Sequence, residues 1–418
     1  MSRDACALQM TPWRMHELLH GTPALRMRRS AQFWADLNQV EEATSSMQVA
    51  RYNYRHQFAQ DLDAVMSKIR EIMEDGEYIL SQEVSHFEAS FAAYLNVRHV
   101  IGVNSGTDAL LLALKAAQIG PGDEVITHAN TFHATVLAIR MAGATPVLVD
   151  ADPSTFLMNT GALEAAVTAR TKAIIPVHLY GKPMALASVM MTAERHDLFV
   201  VEDAAQSHGA RRDGRLTGTV GALGCFSFHP SKNLAAAGDA GAICTNDATL
   251  AERVRVMRGL GQRREGEHVV LGVNSKLDAI QAVVLSNKLK WLDAWNASRS
   301  RVAESYRQRL ADLPLTFQET TPDETHVFHL FQVRSKERDN LVAYLRNHGV
   351  DATIRYPTPI HLQSAFADMG WRPGQFPVAE ALARELLCLP IRPDLTGAQI
   401  AWVSDAIHGF YGHRRKIA

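Results

Sequence analysis

Cysteine is scarce in this chain: 418 residues carry four, Cys6, Cys225, Cys244 and Cys388. They stand far apart and form no C-x-x-C pair. That excludes a disulfide framework and a cysteine-built zinc site, and it fits a reducing compartment. An excess of one charge is lacking too. Lys and Arg number 43 against 44 Asp and Glu, a net charge of -1, so no broad nucleic-acid footprint is expected. No stretch approaches the ~18 apolar residues of a membrane span. The N-terminal stretch lacks the continuous apolar core of a secretory signal. A cytoplasmic protein that binds neither nucleic acid nor membrane is therefore expected. The 18 histidines show no H-E-x-x-H spacing, so no metal is expected. Repeats and low-complexity segments are also missing.

What is present is a globular composition, 47% hydrophobic and 21% charged, in a chain too long for one ordinary core. Residues 1–50 mix arginines and methionines without a sustained period and read as an N-terminal extension. Residues 51–295 read as a large domain and 296–418 as a small C-terminal α+β domain. From Asp61 to Met73, Leu62, Val65, Ile69 and Ile72 mark an amphipathic helix. Seven short apolar runs follow: His99–Val103, Glu124–Thr127, Pro146–Val149, Ala173–Val177, Leu198–Val201, Gly224–Phe228 and Ala240–Cys244. Helical stretches separate most of them, which predicts an α/β fold with a mainly parallel seven-stranded sheet flanked by helices. Leu277 to Leu310 reads as one long helix, since Leu277, Ile280, Val284, Leu289, Leu292 and Trp295 form a stripe. Beyond it, Val327–Val333 and Ala352–Arg355 read as strands and Arg338–His348 as a helix.

Three places carry candidate chemistry. Ser105-Gly106-Thr107 ends a strand and opens a helix that is apolar almost all round. Gly106 lets the backbone approach an anion, and the first free N–H groups of the helix point at it; an ordinary N-cap is the plain alternative. Asp203 ends a fully apolar strand, where ligands gather in α/β sheets. It either meets a protonated ring nitrogen or caps a following helix over Ala204–Ser207. Glu202 points to the opposite face. Lys232 lies among Phe226, Phe228 and Pro230, an apolar surround that lowers an amine's pKa; taken alone it would read as a surface lysine. A phosphate-binding helix start, an acid at a strand end and a sheltered lysine, in that order, are what pyridoxal phosphate (PLP) requires.

The stretches GVNSGTDALLLAL, GPGDEVITHANTFHAT, AGATPVLVDADPSTF, PVHLYGKP, VVEDAAQSHGA, CFSFHPSKNLAAAGDAGA, GVNSKLDAIQA, RYPTPIHLQ and FPVAEALARELLCLP make the chain resemble the DegT/StrS-type sugar aminotransferases, which have the fold-type-I PLP architecture. The resemblance runs from about residue 52 to the end. It implies a Schiff base between Lys232 and pyridoxal 5'-phosphate, with pyridoxamine phosphate formed midway. Asp203 would hold the pyridine nitrogen, and Gln206 would sit near the ring hydroxyl. Ser105, Gly106, Thr107 and Ser227 would bind the phosphate, and Phe132 would stack on the ring. Asn274 would reach the phosphate of a neighbouring subunit, so a homodimer with shared sites is implied. Tyr180, His229, Arg355 and His361 are its substrate-side candidates.

Glutamate or glutamine would donate the amino group. A nucleotide-linked 3-keto-6-deoxyhexose would accept it, with a 3-keto sugar phosphate or an inosose as alternatives. The chain departs from the family pattern at Glu265 and Gly266 (usually Lys-Tyr), Lys276 (usually Arg), Arg355 (usually His), His229 (often Tyr), and Ala235 and Ala240 (glycines). A PLP-dependent sugar dehydratase would replace Lys232, commonly by histidine. A non-catalytic regulatory protein would not need Asp203, Gln206 and Lys232 together.

Overall fold

The computed structural model describes residues 47–58 and 61–415. The N-terminal extension lies outside the described residues, apart from a few at its end, where Val49 pairs with Val350. From Gln48 onward the described chain forms one compact unit.

The main sheet has seven strands: β1 (His99–Val103), β2 (Glu124–His128), β3 (Thr145–Val149), β4 (Thr171–Ile174), β5 (Phe199–Asp203), β6 (Leu223–Ser227) and β7 (Gly241–Thr245). Their spatial order is β1-β7-β6-β5-β4-β2-β3. The pairs β2–β3, β2–β4, β4–β5 and β5–β6 are parallel. β7 runs antiparallel to both of its neighbours, β1 and β6. The seven apolar runs of the sequence are these seven strands. The run through Val177 stops its ladder at Ile174, because Pro176 has no N–H to give. Pro176 still accepts a bond from the Asp203 N–H at 3.0 Å, so the chain stays beside β5.

Helices cover both faces. α1 is Leu62–Asp75, α2 Gln82–Leu95, α3 Gly106–Ala116 and α4 His133–Ala142. Residues Ala109–Leu114 of α3 are all buried, as the absence of a polar face in its sequence requires. The other face packs on α2 through an aromatic cluster. Phe91 makes edge contacts with Phe226 at 5.1 Å and Phe228 at 5.5 Å. Alternation along β6 sends Phe226 to that cluster and Cys225 to the opposite core, so one strand joins the two layers.

The single long helix expected over 277–310 is two helices, Ala279–Leu289 and Leu292–Arg309. Neither Pro nor Gly marks the break. It lies where the Trp291 indole N–H donates to Asp61 at 2.7 Å; Val284 of the first helix and Leu292 of the second are both buried, so the apolar period runs through it. The strand expected over 327–333 is Phe331–Arg334, since Phe328 has φ of 42° and cannot continue a ladder. Ala352–Arg355 keeps only a single bridge, Thr353 to Cys388. The segment after Asp203 makes two turns instead of a helix.

Candidate active site

β1, β5 and β6 end at the same sheet edge, where β7 begins. Gly241 pairs with both Val103 and Ser227. A Cβ on Gly241 would stand 2.4 Å from the Ser105 carbonyl carbon, and one on Gly106 would stand 2.6 Å from Ser227 Cβ. The two glycines therefore let the start of α3 lie directly on the ends of β6 and β7. Ser105 caps α3 by accepting from the Asp108 N–H at 3.1 Å, and the Ser105 carbonyl accepts from the Ala109 N–H at 3.0 Å. That leaves the N–H groups of Gly106 and Thr107 at the wall of a cavity of about 260 Å³.

The same cavity is lined by Phe132, Asp203, Gln206, Ser227, His229, Lys232 and Arg355. Asp203 is buried at the end of β5. Its Oδ2 accepts from Thr135 Oγ1 at 2.9 Å and its Oδ1 from the Ala205 N–H at 3.2 Å. Burial pushes its pKa up, while Thr135, Ala205 and the nearby Lys232 pull it down. Its neighbour Glu202 turns to the opposite face. There it accepts from the N–H groups of Gly218 at 2.8 Å, Val220 at 2.6 Å and Gly221 at 2.7 Å. His178 takes the Met184 N–H on Nδ1, so its Nε2–H donates to Glu202 at 2.8 Å. Glu202 is thus a turn anchor behind the site.

Lys232 sits on a tight loop. Its N–H donates to the His229 carbonyl at 2.8 Å, and the loop is closed by Phe228 N–H to Ala240 O at 2.7 Å and Ala236 N–H to Phe228 O at 2.8 Å. Among the described residues no hydrogen-bond or ion-pair partner meets its Nζ. Burial, aided by Arg355 and opposed by Asp203, brings its pKa down to about 8. Gln206 is held at both ends: Oε1 accepts from the Tyr180 N–H at 2.8 Å, and Nε2 donates to Tyr356 Oη at 3.2 Å. Phe132 is 45% exposed, and its ring lies 5.3 Å from that of Tyr356.

Three expected residues do not line this cavity. Tyr180 is fully buried behind it, with its hydroxyl donating to the Arg355 carbonyl at 3.2 Å. His361 is buried and pairs with Glu380 at 3.0 Å. Asn274 is exposed, and its Oδ1 accepts from Lys276. The next residue, Ser275, ties that segment to α3 by donating to Asp108 at 2.7 Å. The sequence reading missed Tyr52, Asp239, His329 and Tyr356, which do line the cavity. Tyr52 belongs to no periodic element. His329 hides in an apolar run whose strand character the backbone at Phe328 cancels. Tyr356 alone had a signal, its place beside Arg355.

The residues fit PLP on structural grounds. A helix start seated on two strand ends by Gly106 and Gly241 suits a phosphate, a buried carboxylate suits a protonated ring nitrogen, and an unpartnered lysine suits an aldehyde.

The family model for DegT/DnrJ/EryC1/StrS aminotransferases matches residues 37–408. The "Pleiotropic regulatory protein" of Geobacillus stearothermophilus is 44% identical over 88% of this chain and 100% of its own length. The dTDP-3-amino-3,4,6-trideoxy-alpha-D-glucose transaminase of Streptomyces venezuelae is 45% identical over 81% of this chain and 90% of its own. The crystal structure of S. venezuelae DesV superposes with a TM-score of 0.85 at 42% identity, covering 87% of this chain and 98% of that one. With the family model spanning almost all of the described fold, this chain belongs to the DegT/DnrJ/EryC1/StrS aminotransferase family of PLP-dependent enzymes.

Proposed function

We propose that this aminotransferase moves the amino group of glutamate or glutamine to the 3-keto group of a nucleotide-linked 6-deoxyhexose, in amino-sugar biosynthesis. The observation that carries the reaction type is Lys232: its amine has no partner among the described residues and shares one cavity with Asp203 and the α3 cradle. The choice of a 3-keto sugar rests on the relatives, since the S. venezuelae enzyme is named for a 3-amino product.

When bound, PLP supplies the electron sink that lets a proton leave the donor's α-carbon. The chain's own residues do the rest. Gly106, Thr107, Ser105 and Ser227 bind the phosphate with N–H and hydroxyl donors. Asp203 keeps a proton on the ring nitrogen, and Thr135 holds the carboxylate in place. Phe132 covers a ring face and excludes water, while Gln206 fixes the edge near Tyr356. Lys232 Nζ, with its pKa near 8, is unprotonated often enough at neutral pH to take a proton and return it. His229 and Arg355 face the substrate side. Tyr180 and His361 support the segments that carry Gln206 and Tyr356 without lining the cavity. Asn274 serves the phosphate of a partner subunit in a homodimer. The enzyme works in the cytoplasm, with residues 51–295 binding the cofactor and 296–418 forming the smaller lobe.

The experiment is spectroscopic. The purified protein should absorb in the visible, lose that absorbance with borohydride, and lose it in Lys232→Ala. Glutamate or glutamine should convert it to the amine form, and a nucleotide-linked 3-keto sugar should return it. Turnover of a sugar phosphate with failure of every nucleotide-linked ketone would replace the acceptor. The regulatory name of the G. stearothermophilus relative favours one other reading, a non-catalytic regulatory protein on the same fold, in which both conversions would be absent.

A further inference from the structure

Arg355 enters the cavity from the segment after Asp351. Its carbonyl is fixed by the Tyr180 hydroxyl and by Gln332 Nε2, each at 3.2 Å. Its guanidinium is different: the residue is half-buried, and no described residue gives the guanidinium a hydrogen bond or ion pair. Two of the acids around it are engaged elsewhere. Asp351 pairs with Arg51 at 2.9 Å, and Asp203 is held by Thr135 and Ala205. Asp239 lines the cavity but forms no ion pair with it. Beside Arg355 the wall is His329, 7% exposed, with Nδ1 buried and unpartnered. Burial together with Lys232, Arg299, His208 and Arg355 keeps that imidazole neutral. Tyr52 closes the same region, stacked on Tyr54 at 5.6 Å with Arg51 over its ring at 5.4 Å.

A cation partly removed from water without a counter-charge is unfavourable. In a substrate cavity the bound ligand relieves it, and a guanidinium fork matches the two oxygens of a carboxylate. We infer that Arg355, with His329 beside it, forms a carboxylate subsite on the substrate side of the cavity, separate from the α3 phosphate cradle. A phosphoryl dianion would call for more positive charge than this wall offers, since Lys232 must stay free to exchange protons. The inference rests on the transaminase reading and narrows it, because at least one substrate must present a carboxylate here. Two sources carry one: the amino-acid donor, or an acidic sugar acceptor.

The test uses the full-length holoenzyme. Glutarate, a dicarboxylate with no amino group, is titrated while the cofactor's visible absorbance is followed and binding heat is measured. Arg355→Gln should weaken glutarate by about tenfold or more, and Arg355→Lys should recover part of the loss, because a point charge lacks the fork. The two half-reactions then separate the sources. A rise in the glutamate requirement with a neutral keto-sugar unaffected assigns the subsite to the donor. A rise confined to a uronate-bearing ketone assigns it to the acceptor. Glutarate affinity and both half-reactions unchanged in Arg355→Gln would overturn the subsite. Borohydride-sensitive absorbance in the variants shows that fold and cofactor are intact. If the wild-type enzyme accepts no amino donor, the transaminase reading fails on its own, and the glutarate titration still decides the subsite.

Discussion

At the scale of the residue, the cavity holds two groups that burial pushes in opposite senses. Asp203 is raised and Lys232 is lowered to about 8, so each partly offsets the other's cost. Lys232 has a consequence for stability. The ordinary value of a lysine is 10.5, so between about pH 8 and 10.5 the unfolded chain holds the lysine's proton more tightly than the folded one. The folded state is therefore penalised at and below pH 8, and the penalty fades as pH rises toward 10.5. Cofactor-free Lys232→Met should unfold at higher urea than the cofactor-free parent at pH 7, and the gap should shrink by pH 10. A gap that widened with pH would contradict the assigned direction. Lys232 and Asp203 were legible in the sequence because their neighbours, an apolar strand and an aromatic loop, are local. Tyr52 and His329 were not, because what brings them to the cavity is packing between segments distant in the chain.

At the scale of the element, β5 explains why two adjacent acids have different lives. Asp203 faces the cavity while Glu202 anchors the turn through three backbone N–H groups and His178. Burial alone would raise the Glu202 pKa, but those donors hold it below the usual carboxylate range. Glu202→Ala strands all four donors and should cost about 3–5 kcal/mol in urea unfolding. The stabilisation that Glu202 provides is present at neutral pH and is lost as pH falls through its lowered folded-state pKa. The start of α3 makes a second case. Gly106→Ala puts a Cβ 2.6 Å from Ser227 Cβ, so α3 must move off β6. Overpacking of this kind costs about 1–3 kcal/mol, and PLP reconstitution should weaken more than thermal stability does. All seven strands could be read from the sequence because the strands of a sheet covered by helices on both faces, parallel or not, are mostly continuous apolar runs. The broken helix at Trp291 could not, since a period shared by two helices conceals a break that no Gly or Pro marks.

At the scale of the whole molecule, the surface beside Asn274 bears on assembly. Leu271 is 96% exposed, with Val270 at 46%, Leu260 at 50% and Ile79 at 47%. Apolar residues so grouped suit a subunit interface, in keeping with the proposed homodimer. Shared sites can be tested by mixing inactive subunits. A hybrid of Lys232→Ala with an Asn274 variant has one intact site in each mixed dimer, so random reassortment should restore about a quarter of full activity. No recovery, with dimers confirmed by ultracentrifugation, would mean that each cavity is built from one chain.

The position of β7 has a consequence for how such an enzyme is made. It is the last of the seven strands in the chain, yet it lies between β1 and β6, and its first residue, Gly241, sits against the start of α3. During synthesis β1 and α3 exist long before the strand that joins them to β6. Both the anion cradle and the lysine loop lean on it, through Gly241 against Ser105 and the Phe228 N–H bond to the Ala240 carbonyl. A nascent chain that has not yet placed β7 lacks these supports, so cofactor added to chains truncated before Gly241 should not be retained, whereas the full-length chain should hold it.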